Sequence, residues 1–134
     1  ENAAHLSMYK VTFERWPIHV FKPFEAWNTG TYAPLPWYQS YNRVKHNRFE
    51  HFYEANLENL MNAVAGLLCI LHAQIGENMD CVCFEGIATQ QNDQYIVSNG
   101  TFTLHAPSFN DAELYDFIWD NSKRVTVPVL NYNF

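Results

Sequence analysis

Cationic side chains are scarce in this 134-residue chain: eight Lys and Arg stand against fourteen Asp and Glu, for a net charge of -6. That balance works against broad, nonspecific attraction to nucleic acid or anionic membrane, while leaving room for a local basic patch. Cysteine is also sparse. Cys69, Cys81 and Cys83 make an odd number and Cys69 lies inside an apolar run, so a disulfide framework is not expected and a reducing, cytoplasmic setting is the natural reading. The longest strictly apolar run, from Ala63 to Leu71 counting Gly66, is too short to cross a bilayer, and no basic-apolar-small pattern marks a secretory leader. Gly-rich phosphate loops, the HExxH zinc motif and the nucleophile elbow are absent, as are internal repeats and low-complexity tracts.

What remains is enough to fold. Hydrophobic residues make up 48% of the chain and charged residues 16%, a balance that can bury a core and argues against intrinsic disorder. Ten Phe, eight Tyr and four Trp predict an interior built from rings. The length suits one domain over residues 1–134, and a start at Glu1 without Met is compatible with a piece of a longer chain.

Local signals divide the chain into elements. Tyr9 to Phe24 alternates poorly and contains Pro17 and Pro23, so it reads as a short strand or an extended arm. Pro36 suits a first helical turn, and a helix is predicted from about Trp37 to Phe49, with Trp37, Tyr41, Val44 and Arg48 on its core-facing stripe. A second helix is predicted from an N-cap at Asn56 to a stop at Gly76; its middle is apolar all round, which implies a central position covered on most sides. Ala63, Ala65 and Gly66 are small enough for a neighbour to approach closely. Tyr95–Ser98, Asn99-Gly100 and Thr101–Leu104 read as a β-hairpin, with a third strand over Cys81–Ala88 ahead of a Gln90–Asp93 loop. Asn110 with Glu113 resembles a capping box for a short helix over Asp111–Asp120, and Val125–Leu130 looks extended. The expected fold is therefore α+β and α-rich: antiparallel helices around an apolar central helix, with a small antiparallel β element.

The densest polar signal is Tyr41–Arg48, which holds three of the eight cationic residues and a histidine. On a helix, Asn42, Lys45 and His46 share one patch with neighbouring Cβ atoms about 5–6 Å apart. Such a patch suits a phosphate: Lys supplies charge, Asn an amide donor, and His exchanges a proton near neutral pH. The competing reading is structural, with the cations solvated or paired to Glu50 or Glu54 and with Asn42 and His46 bonded to backbone. Elsewhere, His72 near the end of the central helix reads as a cap for terminal carbonyls. Cys81-x-Cys83 with His72 or His105 lacks the usual zinc spacing, so no metal and no cofactor are expected.

Trp37-Tyr38-x-x-Tyr41-Asn42-x-Val44-Lys45-His46-x-Arg48, followed by Ala55-x-Leu57-x-Asn59-x-x-Asn62-Ala63-x-Ala65-x-Leu67, resembles a pattern in uncharacterised bacterial helical proteins associated with the HEPN superfamily. The resemblance covers roughly residues 36 to 72. It implies a small helical bundle, a homodimer and, in active members, a metal-independent ribonuclease of toxin or defence systems, with an Arg and a His four to six residues apart near the dimer interface. Here Arg43 to His46 and Arg48 to His51 each enclose two residues and Arg43 to His51 seven; only Lys45 to His51 encloses five, and Lys offers a point charge in place of the bidentate Arg fork.

Two functions follow as expectations. In the first, a HEPN-like domain binds or cleaves RNA or a nucleotide: His46 or His51 takes the ribose 2′-hydroxyl proton, and Asn42, Arg43, Lys45 and Arg48 hold the phosphate. In the second, a noncatalytic interaction module offers Trp27, Tyr32, Trp37 and Tyr38 to a protein partner. An open cleft at Asn42, Lys45 and His46 favours the first, and pairing of those groups within the protein the second.

Overall fold

The computed structural model describes residues 5–15, 17–29, 33–75, 87–91 and 94–108. Five strands form one antiparallel sheet: β1 (Lys10–Phe13), β2 (His19–Phe21), β3 (Ile87–Gln91), β4 (Gln94–Ser98) and β5 (Phe102–Pro107), in the order β2-β1-β5-β4-β3. The helices are α1 (Pro36–His46), the single turn α2 (Arg48–His51) and α3 (Leu57–Ile75), with 3₁₀ turns at Glu25–Thr29 and Phe52–Glu54.

The α-rich expectation is thus corrected to a mixed α+β fold in which the sheet carries the core. The Tyr9–Phe24 segment is not an arm. It contributes two strands, and β1 lies between β2 and β5, pairing Lys10 with His105 and Phe13 with Phe102. Pro17 sits between the two strands, where its missing N–H costs no ladder bond. Val11, Val97 and Leu104 are fully buried and pack with Tyr9, Phe21, Phe24, Ala65 and Cys69.

The β4–β5 hairpin forms where Asn99-Gly100 predicts it. Gly100 takes φ 76°, and the Asn99 Oδ1 accepts the N–H groups of Thr101 at 3.0 Å and Phe102 at 2.8 Å. The strand ahead of it runs further than expected: β3 includes Gln90 and Gln91, which the sequence reading assigned to a loop, because they pair with Tyr95 and Gln94. Cys81–Gly86, the Gly76 stop, the Asp111–Asp120 helix and the Val125–Leu130 extension lie outside the described residues.

Helix α3 begins as expected, with the Asn56 Oδ1 accepting the Asn59 N–H at 3.0 Å. Its position is less enclosed than its composition implies. Ala65, Cys69 and His72 face the sheet, whereas Leu57, Leu60 and Leu67 on the opposite side are 71%, 58% and 56% exposed. Gly66 faces α1, where an added Cβ would lie 3.1 Å from the Trp37 ring. Of the three small residues, Gly66 is the one at which the close approach is seen, and Trp37 is held in place by its Nε1 donating to the Pro23 carbonyl at 2.8 Å.

Candidate functional site

The α1–α2 junction positions the predicted site residues. The helix expected to run to Phe49 stops at His46, because Asn47 leaves helical geometry at φ -141°, ψ 77°. Its side chain then starts α2, accepting the Glu50 N–H and donating to the Glu50 carboxylate at 2.6 Å. The break turns Arg48 and Phe49 away from the α1 stripe, and both are exposed. Tyr41 is exposed too, so the core side of α1 is Trp37, Ser40 and Val44, of which Ser40 is the buried member.

Three residues of this region converge on one buried carboxylate. Arg43 Nε donates to both Glu54 oxygens at 2.9 Å, and its Nη2 reaches Oε2 at 2.6 Å and the Ser40 hydroxyl at 3.2 Å. His51 Nδ1 lies 2.9 Å from Glu54 Oε1. The Arg43 bonds, helped by Ser40 and His51, hold the Glu54 carboxyl down at about 2, and Glu54 in turn raises the Arg43 guanidinium above its ordinary value. The 3₁₀ turn Phe52–Glu54 makes this possible by aiming Glu54 back under α1.

The remaining predicted residues do not join that cluster. Lys45 sits 5.9 Å over the Tyr41 ring and Arg48 5.6 Å over the Phe52 ring, each a cation on an aromatic face. His46 is exposed on the last turn of α1, and Asn42 is half-buried. The fork of Arg43, the best phosphate clamp in the sequence, is therefore engaged by Glu54, while Lys45, His46 and Arg48 remain at the surface.

The predicted aromatic surface is also redistributed. Trp27 donates to the Ala33 carbonyl at 2.8 Å and Trp37 is half-buried, so both serve packing; Tyr32 lies outside the described residues. Tyr38 is exposed and stacks on Tyr41 with ring centroids 6.2 Å apart, and Phe49, Phe52 and Tyr53 extend the exposed rings along α2 and the turn after it.

Between α1 and α3 lies a groove of about 470 Å³, walled by Trp37, Tyr41 and Val44 on one side and by Leu57, Leu60 and Ala63 on the other, with Glu54 at its base beside Ala55. Val44, Leu57, Leu60 and Ala63 were not singled out as a binding surface from the sequence. The signal was present in the leucines at 57, 60 and 67, which fall on the side of α3 that the sheet does not need. A second, more polar cleft of about 410 Å³ opens beyond Trp37, where Lys22 and Glu25 pair at 2.9 Å near Glu58, Asn59 and Asn62.

A separate buried group lies under α3. His72 is 4% exposed, its Nδ1 is 3.0 Å from the Tyr9 hydroxyl, and its ring packs against Tyr95 at 5.1 Å. His72 therefore faces the sheet and does not cap the helix end as expected. Its Nε2 is buried without a hydrogen bond, and burial lowers its imidazole to about 4 and raises the neighbouring Cys69 thiol to about 12. Both groups are neutral at pH 7. Comparison of the chain with family models, with curated proteins and with solved structures finds no match.

Proposed function

We propose that this chain is a noncatalytic interaction module that receives an apolar protein surface in the groove between α1 and α3. The observation that carries the reading is the wall of that groove. Leu57, Leu60 and Tyr41 are each more than half exposed although they are large and apolar, an arrangement that costs free energy in water and is relieved by a partner. The neighbouring exposed rings, Tyr38, Phe52 and Tyr53, are of the kind enriched in protein contacts.

The engagement of Arg43 and His51 by Glu54 supports the same reading, since the groups best suited to clamp a phosphate and to deprotonate a ribose hydroxyl are already bonded to the Glu54 carboxylate. Two exposed cations, Lys45 and Arg48, on a chain of net charge -6 supply little phosphate affinity.

A photo-crosslinking residue in place of Tyr41, with one in place of the exposed Glu14 as control, tests the proposal in cells. The expected result is a protein adduct from position 41, identified by mass spectrometry, absent from position 14 and lost with Leu57→Asp. Adducts to RNA alone from position 41, or equal protein adducts from both positions, would overturn it.

A further inference from the structure

We infer that the polar cleft beyond Trp37 is a binding site for a guanidinium group, carried on the arginine side chain of a peptide. The inference goes beyond the groove reading and does not need it, because none of the leucines that wall the groove lines the cleft.

The side chains around the cleft commit nitrogens to the backbone and leave oxygens free. Asn59 Nδ2 donates to the Glu54 carbonyl at 2.9 Å and Asn62 Nδ2 to the Glu58 carbonyl at 3.0 Å, which fixes both amides while their Oδ1 atoms stay uncommitted. The Glu58 carboxylate has no hydrogen bond or ion pair among the described residues. Trp37 spends its one N–H on the Pro23 carbonyl, so it offers the cleft only its apolar ring. Three acceptors and an indole therefore line one cavity of about 410 Å³, and two of the acceptors are already held in place before any ligand arrives.

Charge narrows the ligand. Lys22 and Glu25 compensate each other at 2.9 Å, so Glu58 leaves the lining with an excess of negative charge. The matching group is a cation with several N–H donors and a flat apolar surface to set against a ring. Guanidinium has all three properties: it is always charged, its five donors lie in one plane, and its weak hydration lets it pack on aromatic rings. An ammonium places three donors on a compact, strongly hydrated point and suits the indole wall less. Lys45 and Arg48 line neither cavity, and the net charge of -6 draws a cationic ligand towards the chain. The competing reading gives Glu58, in the first turn of α3, only the task of offsetting the helix dipole. That task affects stability and leaves ligand binding untouched.

The test is an NMR titration of the full isotope-labelled chain with Nα-acetyl-arginine N-methylamide and with its citrulline counterpart, which keeps the shape and loses the charge. The arginine probe should shift the side-chain amides of Asn59 and Asn62 and the Trp37 indole N–H saturably, and the citrulline probe should bind about tenfold more weakly. Glu58→Gln should weaken arginine binding by about fivefold, and Lys22→Gln should tighten it by freeing the Glu25 carboxylate. Glu25→Gln, which leaves Lys22 uncompensated, should weaken binding as well and serves as the second variant if Glu58→Gln fails to fold. Equal binding of the two probes, unchanged binding in folded Glu58→Gln and Glu25→Gln, or weaker binding in Lys22→Gln, the mark of an anion site, overturns the inference. So does parallel movement of the Asn99 side-chain amide, which lines neither cavity, or free arginine binding about tenfold tighter than the blocked form, the mark of an amino-acid site.

Discussion

His72 should make this fold acid-sensitive in a window set by its burial. Folded, the imidazole titrates at about 4 because burial disfavours its charged form; unfolded, it returns to its ordinary 6.5. Between these values the unfolded chain binds the extra proton, so stability falls as pH drops below 6.5 and this contribution levels off below about 4. One such group costs about 2 kcal/mol between pH 7 and pH 5, and about 3 kcal/mol across the full window. A small domain holds only about 5–15 kcal/mol in total, so the loss is large enough to measure. Urea unfolding at pH 7 and pH 5 supplies the measurement, with His72→Phe as the partner that keeps a ring but removes the titration. His105, also pushed down by burial and by Lys10, is present in both proteins and cancels in the comparison. The expected result is a pH-dependent loss in the wild type that exceeds the loss in His72→Phe by about 2 kcal/mol. Equal losses in the two proteins would refute the assignment of a neutral, buried His72, and His72→Gln repeats the comparison if the phenyl ring cannot be accommodated.

Three further outcomes follow from the packing. Gly66→Ala should lower stability by about 1 kcal/mol in urea unfolding, because the overpacking against Trp37, at 3.1 Å from the new carbon, outweighs the helix-propensity gain of about 1 kcal/mol. Asn56→Ala should cost about 1 kcal/mol by the same assay through loss of the bond to the Asn59 N–H. Glu54→Gln should lower the melting temperature at pH 7. It should also flatten the acid limb of the melting profile between pH 4.5 and 2, because the wild-type carboxylate contributes stability above 4.5 that is lost as its folded value of about 2 is approached.

The parts of this structure that were legible in the sequence are those decided within a few residues. Asn56 caps α3 through a neighbour three positions on, and Asn99-Gly100 turns the hairpin through its own side chain and a positive φ. The place of β1 inside the sheet, between β2 and β5, was not legible, because its alternation is weak and Val11 acquires its meaning from Leu104, on a strand that nothing local connects to it. The surroundings of the candidate site were illegible for a related reason. A continuous helical projection places Asn42, Lys45 and His46 on one helix, which α1 is, but Asn47 ends that helix, and a turn eleven residues after Arg43 returns Glu54 to its guanidinium. The exposure of Leu57, Leu60 and Leu67 was hidden by an all-apolar pattern, which cannot tell a covered side of a helix from one that awaits a covering.

The pairing of β1 with β5 has a consequence for biosynthesis. Lys10 meets His105 across a loop of more than ninety residues, so the ladder that completes the sheet must wait until the ribosome has delivered nearly all of the described chain. Until then Val11 lacks its partner Leu104, and closure of so long a loop places the fold among those that assemble slowly for their size. Nascent chains halted before Phe102 should be the forms that chaperones hold.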